Sequence, residues 1–217
     1  GIDISKPDFH VCFSEAGDIL KFNNDTPGIR LFIKYLRAHQ FTPANTLIGL
    51  ESTGSYHLPV AYLCSQAGYT VNVINPLITR KQNQVSLRRV KTDAKDACLI
   101  RFCLIGGAGY PFLETAETLA LKTLVRQRSG YSILRHHARH RQSEVENREA
   151  YLKRDISAVN QELYEFLDEK VKSLDGILRK YNAKTQKLLQ TIPGVGPQTA
   201  VTFLSESVAR RMFPPAR

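Results

Sequence analysis

Hydrophobic residues near the start of the chain come in short runs. Apolar, β-branched and aromatic residues are concentrated at positions 2–5, 9–14 and 19–22. Lys6-Pro7-Asp8 and Ala16-Gly17-Asp18 separate these runs, and both have the composition of turns. Short apolar runs bounded by turn residues are typical of β-strands. The pattern therefore predicts an antiparallel meander of three strands.

The next stretch alternates between helical and strand patterns. A helix is predicted from Thr26-Pro27 onward, because apolar residues recur at helical spacing at Ile29, Phe32, Ile33 and Leu36. A strand is predicted at 46–51, a helix at 56–66 and a strand at 70–74, closed by Asn75-Pro76. Strands that alternate with helices pair in parallel through right-handed crossovers. Together with the meander, they predict an α/β fold with a mixed five-stranded sheet and flanking helices, which is the RNase H-like layout.

Four acidic residues fall at positions that this fold would bring together. Asp3 lies in the first predicted strand and Glu51 ends the fourth, while Asp93 and Asp96 are three residues apart in a helix-forming segment. Residues at that spacing share a helix face. Carboxylates placed side by side repel each other and raise each other's pKa unless a cation lies between them. The four acids therefore predict a shared site for a divalent metal ion.

Each acid also has a purely structural explanation, which the residues alone leave open. Thr92 is a suitable N-cap, and Asp93 and Asp96 would complement the dipole of the helix that it starts. Asp3 can pair with a buried base or accept backbone hydrogen bonds, and Glu51 can cap the helix that follows. The metal site is favoured because all four positions are acidic in one fold.

Composition favours a polyanionic partner and a reducing compartment. The 217 residues include 30 Lys and Arg against 20 Asp and Glu, which gives a formal net charge of +10. Four cysteines lack metal-binding spacing and lie in apolar segments, which indicates buried free thiols: Cys12, Cys64, Cys98 and Cys103. No apolar run approaches the ~20 residues of a membrane span. A cytoplasmic protein without a membrane partner is predicted.

Basic residues surround the acidic pair. Between residues 80 and 101 only Asp93 and Asp96 oppose seven bases, which are Arg80, Lys81, Arg88, Arg89, Lys91, Lys95 and Arg101. We expect this basic collar to guide a phosphate backbone toward the metal site, although a solvated basic helix would have the same composition. Residues 106–111 are rich in glycine and predict a domain boundary near residue 110.

Two long helices are predicted next, at about 115–153 and 156–189. The second carries an apolar seam with steps of three or four residues, which fits a coiled coil with one stutter: Ile156, Val159, Leu163, Leu167, Val171, Leu174, Leu178 and Tyr181. Either a hairpin within the chain or a homodimer or higher homo-oligomer would bury this seam.

The first of these helices carries a basic stripe. No acid lies between Glu117 and Glu144, and the stripe consists of Lys122, Arg126, Arg128, Arg135, Arg139 and Arg141. These bases are predicted to contact nucleic-acid phosphates. His136 and His140 are four residues apart but lack the Glu and third ligand of a zinc helix, so they are expected to extend the basic face.

Residues 188–200 have the pattern of two short helices joined by a tight turn. Pro193-Gly194-Val195-Gly196 forms the predicted turn, and Pro197 starts the second helix. Gly194 and Gly196 permit positive φ and close backbone approach, so the amides at the start of the second helix can hold a phosphate. A helix-hairpin-helix motif is predicted, and a plain helical hairpin is the structural alternative.

Four segments resemble, in order, the DEDD insertion-sequence transposases, which include the Piv-like invertases and the bridge-RNA-guided recombinases. The segments are Gly1-Ile2-Asp3-Ile4-Ser5-Lys6, Glu51-Ser52-Thr53-Gly54-Ser55-Tyr56, Val73-Ile74-Asn75-Pro76 and Lys91-Thr92-Asp93-Ala94-Lys95-Asp96-Ala97. The resemblance runs from Gly1 to about Glu206. It implies a RuvC-like domain with catalytic, metal-binding residues Asp3, Glu51, Asp93 and Asp96. It also implies Mg²⁺ or Mn²⁺, DNA strand exchange, a structured guide RNA, and a bacterial or archaeal, nucleoid-associated protein.

The patterns and the resemblance together divide the chain into three parts. Residues 1–110 are predicted as the RuvC-like domain, 111–187 as basic coiled-coil helices, and 188–217 as the start of a second transposase domain. In the family this second domain carries a nucleophilic serine, and neither Ser205 nor Ser207 lies in its motif. The chain is therefore expected to be a truncated transposase or recombinase that is inactive alone.

Two other functions fit the same residues. A stand-alone metal-dependent nuclease of the Holliday-junction-resolving kind would need only the four acids. A non-catalytic nucleic-acid-binding dimerisation module would need only the basic helices and the seam. Cleavage of DNA by this chain in Mg²⁺ would favour the nuclease over the other two functions.

Overall fold

The computed structural model describes residues 1–14, 18–52, 54–85, 93–146 and 153–207. The chain forms two compact units, Gly1–Leu113 and Glu114–Arg217. The predicted division at residues 110 and 187 stays a prediction. In the described part of the chain, no helix combines the length and the apolar character that crossing a membrane requires.

The first unit is a mixed sheet with flanking helices. Its elements are β1 (Ile2–Ile4), β2 (Asp8–Cys12), β3 (Ile19–Asn23), α1 (Thr26–Ala38), β4 (Leu47–Glu51), α2 (His57–Gln66), β5 (Thr70–Ile74), α3 (Pro76–Val85), α4 (Asp93–Ile105) and β6 (Tyr110–Pro111). The strand order is β3-β2-β1-β4-β5-β6. β1 pairs in parallel with β4, and β4 with β5, while the other pairs are antiparallel. The predicted meander and the two strand–helix units are confirmed.

Within the described residues the sheet has six strands, so the prediction of five is wrong. The sixth strand, β6, has two residues, too few for any sequence pattern, and it pairs Tyr110 with Val73. Gly109 makes this pairing possible, because its φ is +100° and a Cβ there would lie 3.1 Å from Ile74 Cγ1 and 3.2 Å from the Val73 oxygen. A larger residue would push β6 away from β5.

Helix α3 is a second element that the sequence patterns did not identify. Asn75-Pro76 closes β5 as predicted, but it also opens a helix. The Asn75 side-chain oxygen accepts a hydrogen bond from the Leu77 amide at 2.9 Å, and Pro76 is the first helical residue. An Asn cap followed by proline is a common helix start.

The two faces of the sheet are covered by different helices. Ile2 and Ile4 on β1 share a face with Phe9, whose ring lies 5.5 Å from the Phe32 ring of α1. All of these side chains are buried. The opposite face is covered by α4, which packs against β1, β2, β4 and β5. The helix α4 therefore lies over the face on which the odd-numbered residues of β1 are found.

The four cysteines are free thiols, as predicted. Cys12, Cys64 and Cys103 are buried, while Cys98 on α4 is half-buried. Burial raises the pKa of the Cys64 thiol to about 12, so this group stays protonated at neutral pH.

The second unit is helical. It contains α5 (Ala116–Glu146), α6 (Lys153–Lys180), α7 (Ala183–Leu189) and α8 (Pro197–Ser207). Helices α5 and α6 form an antiparallel hairpin, in which Arg128 pairs with Asp175 and Arg135 with Asp168. The core of this unit is a cluster of buried aliphatic side chains at Leu121, Val125, Leu178 and Val201.

The predicted single helix over 156–189 is two helices. α6 ends at Lys180, and Asn182 has the left-handed conformation with φ +44°. The Gln186 amide donates to the carbonyl oxygens of Leu178, at 2.7 Å, and of Tyr181, which satisfies the end of α6. Asparagine tolerates the left-handed region better than most residues, so it can end a helix without glycine.

The apolar seam of α6 is buried only in its C-terminal half. Leu167, Val171 and Leu178 are buried, whereas Ile156 is 48% and Val159 65% exposed. The hairpin with α5 thus covers part of the seam. The coiled coil and the helix-hairpin-helix motif stay predictions.

Candidate functional site

Two of the four predicted acids are neighbours on the sheet. Ile2 of β1 is paired with Leu50 of β4, so Asp3 and Glu51 lie one residue further along two parallel strands. Neighbouring strands are about 4.8 Å apart. Both residues are half-buried. Asp3 in the first strand and Glu51 at the end of the fourth occupy the strand positions predicted from the sequence.

Both acids face α4. Side chains two residues apart on a strand share a face, so Asp3 shares one with Gly1 and Glu51 with Gly49. A Cβ on Gly1 would lie 2.3 Å from the Ala97 carbonyl oxygen, and one on Gly49 would lie 2.7 Å from Leu104 Cδ2. These glycines let α4 lie directly on β1 and β4. The face that carries the two acids is therefore the face that α4 covers.

Thr79 of α3 holds the Glu51 carboxylate. Its hydroxyl oxygen lies 2.6 Å from Glu51 Oε2 and 3.0 Å from the Pro76 carbonyl oxygen. A hydroxyl has one hydrogen, and a short bond to a charged acceptor is the stronger of the two. Sequence reasoning missed Thr79 because it missed α3. The cap formed by Asn75 and Pro76 was the signal that would have placed Thr79 in a helix.

The last turns of α4 lie close to Glu51. Burial raises the pKa of the Cys103 thiol, and the negative charge of Glu51 raises it further. Asp96 is half-buried and lies seven residues before Cys103 in the same helix, or about 10 Å along the helix axis. Asp93 is the first residue of α4, and its side chain lies outside the described part. The structure thus brings Asp3 and Glu51 together and places Asp96 on the covering helix.

Polar residues continue across the same face. His10 of β2 is paired with Asp3 and Lys21 of β3 is paired with His10. The Lys21 ammonium lies 2.7 Å from the Asp8 carboxylate, and this hydrogen bond lowers the pKa of Asp8 below its usual value of 3.8. His10 and Lys21 were not among the predicted site residues, because their relation to Asp3 depends on strand register.

The acids have the right chemistry for a hard divalent cation. Carboxylate oxygens are the ligands that Mg²⁺ and Mn²⁺ prefer. Among the described residues, no group of three or more His, Cys, Asp or Glu is arranged to hold a metal ion. Asp3 and Glu51 supply a pair of adjacent carboxylates, one of them oriented by a hydroxyl donor. This donor set fits such an ion, and a site formed by all four acids stays a prediction.

The predicted basic collar is only partly within the described residues. Arg80 and Lys81 on α3 and Lys95 on α4 are exposed, and Arg101 is half-buried. The remaining three bases, Arg88, Arg89 and Lys91, lie outside the described residues. The exposed cations of α3 and α4 flank the strands that carry the acids, because α3 supplies Thr79 and α4 covers Asp3.

The predicted stripe on α5 is not one continuous basic surface. Lys122 is only 7% exposed and is paired with Glu114, so it is a structural residue. Arg128 and Arg135 form ion pairs with α6, to Asp175 at 2.9 Å and to Asp168 at 2.6 Å. Three bases of the stripe are exposed, namely Arg126, Arg139 and Arg141. The spacing alone did not reveal that a second helix packs along one side of α5.

Of the two glycines in the turn before α8, Gly194 has positive φ and Gly196 does not. Gly194 has φ +85°, and a Cβ on Gly194 or Gly196 would meet no atom within 4 Å. Both glycines are exposed, and α8 begins at Pro197 as predicted. A phosphate could therefore approach this turn, although the role of the two glycines stays a prediction.

Comparison with known proteins gives one family. Residues 1–142 match the family model of the IS110-type DEDD transposases, which is described as "Transposase". No curated protein matches the chain. The matched segment contains the whole sheet, all four predicted acids and most of α5. The chain therefore belongs to the IS110-type DEDD transposase family.

Proposed function

We propose that this chain acts in DNA strand exchange as a transposase or site-specific recombinase, with Asp3, Glu51, Asp93 and Asp96 jointly binding Mg²⁺ or Mn²⁺. The observation that carries the proposal is the position of Asp3 and Glu51 on adjacent strands, on the face beneath α4, in a chain of the transposase family. A divalent ion held by these acids would polarise a DNA phosphate and offset the charge that develops on it.

The protein residues have separate tasks in this proposal. Asp3 and Glu51 provide carboxylates from the rigid sheet, and the Thr79 hydroxyl keeps Glu51 in one orientation. Asp93 and Asp96 provide carboxylates from α4. All four acids thus belong to a strand or a helix, and such elements hold a site more precisely than loops do.

DNA and a structured guide RNA are the proposed partners. In the first unit the exposed bases Arg80, Lys81 and Lys95 would contact phosphates, together with Arg88, Arg89 and Lys91. In the second unit Arg126, Arg139 and Arg141 are exposed and would do the same. Neutralising phosphates releases counterions, so binding should weaken steeply with salt. The net charge of +10 supports this part of the proposal.

Calorimetry with Mn²⁺ tests the joint metal site. The Asp93→Asn/Asp96→Asn variant should bind the ion at least about tenfold more weakly, because two of the four ligands lose their charge. Glu162→Gln/Glu169→Gln on α6 removes the same charge from exposed positions and serves as the control. Equal affinity of the Asp93/Asp96 variant and the parent would show that these acids do not share a site with Asp3 and Glu51.

A metal-dependent nuclease is the second candidate function. It is favoured by the fact that Asp3, Glu51 and α4 all belong to the first unit, so the site does not need the second. Incubation of the chain with branched DNA and Mg²⁺ distinguishes the two. Cleavage that is lost in Asp3→Asn would support the nuclease. DNA binding without cleavage would favour the recombinase or a non-catalytic binding module.

Self-association through α6 is also proposed. The hairpin leaves Ile156, Val159 and Leu163 of the seam between 42% and 65% exposed. Aliphatic side chains in a row at coiled-coil spacing are stabilised when a second helix covers them. A modest dimer has a dissociation constant on the order of tens of micromolar. Light scattering at about this protein concentration should therefore give a mass above that of the monomer. A protein that stays monomeric at this concentration would contradict self-association, and the α5–α6 hairpin would then be the only cover of the seam among the described residues.

A further inference from the structure

Asn24 holds two turns together at one edge of the sheet in the first unit. Its side-chain nitrogen donates hydrogen bonds to the carbonyl oxygens of Ser5, at 2.9 Å, and of Tyr56, at 3.1 Å. Its backbone amide donates to the Pro7 carbonyl oxygen at 2.9 Å. Both hydrogens of the side-chain amide are therefore used. One half-buried residue thus fixes the turn after β1 beside the turn before α2.

The turn after β1 presents an exposed lysine. Lys6 lies between Ser5 and Pro7, the two residues whose carbonyl oxygens Asn24 binds. The acid in this turn is already neutralised, because the Asp8 carboxylate lies 2.7 Å from the Lys21 ammonium. Lys6 is exposed and forms no ion pair with another described residue. Its ammonium is therefore available for an anion.

The turn before α2 presents an exposed aromatic ring. Tyr56 is 41% exposed, whereas His57, the next residue, is 8% exposed. The backbone is thus fixed on both sides of the ring, by Asn24 at the Tyr56 carbonyl oxygen and by the burial of His57. A tyrosine on a fixed backbone has only two side-chain torsions to order, so a planar group can stack on it at a low cost in entropy.

Both turns lie next to the acidic site. Lys6 follows Asp3 by three residues where the chain leaves β1. Tyr56 follows Glu51 by five residues where the chain leaves β4. Because β1 and β4 are parallel, the chain leaves both strands at the same edge of the sheet. Three residues of extended chain span at most about 11 Å, so the Lys6 Cα lies within that distance of the Asp3 Cα.

An exposed ring beside an unpaired cation has the chemistry that binds a nucleotide of a single strand. A ring can stack only on a base whose face is free, and in a duplex neighbouring bases cover both faces. The cation neutralises the phosphate of the same strand. Stacking does not read the edges of the base, so these contacts tolerate any sequence.

We propose that Tyr56 and Lys6 bind one unpaired nucleotide next to the acidic site, with the base stacked on the Tyr56 ring and the phosphate on the Lys6 ammonium. The inference rests on the proposed nucleic-acid binding of the chain, but it requires neither a metal ion nor the basic residues of α3, α4 and α5. It specifies that a single strand, and not a continuous duplex, lies at this edge of the sheet.

The fluorescence of 2-aminopurine tests the stacking directly. This base loses fluorescence when a ring stacks on it, and the chain contains no tryptophan that would interfere. A short single strand with 2-aminopurine at alternate positions should be quenched when the parent chain is added without metal. Tyr56→Phe keeps the ring, so it should retain the quenching and bind within about twofold of the parent. Tyr56→Leu should lose the quenching and bind about five- to a hundredfold more weakly, which is the contribution expected from one stacked base.

Each side chain has a matched control among exposed residues of the same unit. Tyr110 is 49% exposed on β6, outside the two turns, so Tyr110→Leu should keep the quenching. Lys6→Gln should reduce the slope of log K against log salt concentration by about 0.7, because one phosphate is no longer neutralised. Lys34 is exposed on α1, and Lys34→Gln should leave the slope unchanged.

The same sequence made as DNA and as RNA gives two arms of the experiment. Quenching that Tyr56→Leu abolishes in either arm supports the inference and identifies the strand that is bound. Quenching and affinity in Tyr56→Leu equal to those of the parent would overturn the inference and leave nucleic-acid binding in place. A parent chain that binds neither strand at low salt would refute the proposed nucleic-acid binding itself, and the inference with it.

Discussion

Replacing Thr79 by valine removes one hydroxyl from the environment of Glu51 and leaves the side-chain shape almost unchanged. Thr79 is 6% exposed, and its hydroxyl donates to Glu51 Oε2 at 2.6 Å. Valine keeps the branched carbon framework, so that α3 should still pack against the sheet. The variant therefore isolates the contribution of a single hydrogen bond to the proposed metal site.

The expected effect follows from what the hydroxyl does for the carboxylate. A free Glu side chain has several rotamers, and fixing them costs up to about 2 kcal/mol. The hydroxyl fixes Glu51 before a metal ion binds, whereas in Thr79→Val the ion itself must do so. A loss of about 1 to 2 kcal/mol corresponds to a reduction in metal affinity of about five- to thirtyfold. Loss of a hydrogen-bonding partner of a ligand commonly weakens metal binding by about ten- to a hundredfold.

Calorimetric titration with Mn²⁺ measures this change. Thr79→Ser keeps the hydroxyl and should bind within about threefold of the parent, because only a methyl group is lost. Both variants should be compared by chemical denaturation. Glu51 is half-buried and can bind water instead, so we expect the stability of Thr79→Val to change by only about 1 kcal/mol.

Parent-like Mn²⁺ affinity in Thr79→Val would refute the argument that the hydroxyl preorganises Glu51. Equal losses in Thr79→Val and Thr79→Ser would instead show that packing of α3, and not the hydrogen bond, is responsible. If neither the parent nor Thr79→Ser binds Mn²⁺, the proposed metal site itself is wrong.

Three further predictions concern stability, nucleic-acid binding and pH. Leu178→Ala should destabilise the second unit by about 2 to 5 kcal/mol in chemical denaturation, because Leu178 is 2% exposed within the aliphatic cluster. Three bases of α5 are exposed, namely Arg126, Arg139 and Arg141. Replacing them by alanine should reduce the slope of log K against log salt concentration, measured for single-stranded DNA, by about 0.7 for each phosphate that is no longer neutralised. Stability should not fall, because alanine is the better helix former. The Asp8 carboxyl should titrate below 3.8 in NMR and return toward that value in Lys21→Met, because the Lys21 hydrogen bond favours the charged form. Because the folded-state pKa is lowered, the charged Asp8 contributes to folding stability above about pH 4, and this stabilisation is lost as the pH falls through the folded-state pKa. An unchanged Asp8 titration in Lys21→Met would contradict the role of the Lys21 hydrogen bond.

The strands of the first unit were predictable because their residues carry local signals. The predicted strand at 70–74 has the observed bounds, and the predicted starts of β3 and α1 are correct. β6 was missed because its two residues become a strand only when Gly109 brings them beside β5. The break between α6 and α7 was missed because it depends on the conformation of Asn182 and on Gln186, which lies four residues later.

The acidic site shows the same division between local and long-range information. The positions of Asp3 and Glu51 on their strands follow from apolar runs and turn residues, so the sequence could place both. Their adjacency follows from the pairing of β1 with β4, which the fold class implies. Thr79 and His10 could not be assigned in this way. Each belongs to the site only through a residue on another element: Thr79 donates a hydrogen bond to Glu51, and His10 is paired with Asp3 in the strand register.

The basic residues of α5 show why charge spacing alone overestimates a binding surface. A stripe of cations on one helix has the same sequence pattern whether solvent, a phosphate or a neighbouring helix faces it. In this chain α6 supplies Asp168 and Asp175 opposite two of the arginines, so their charges are used within the hairpin. Arg179 is the converse case, because it lies outside the stripe and yet is exposed and forms no ion pair with another described residue. Nucleic-acid binding in the second unit should therefore follow the cations that α6 leaves unpaired, and not the spacing along α5.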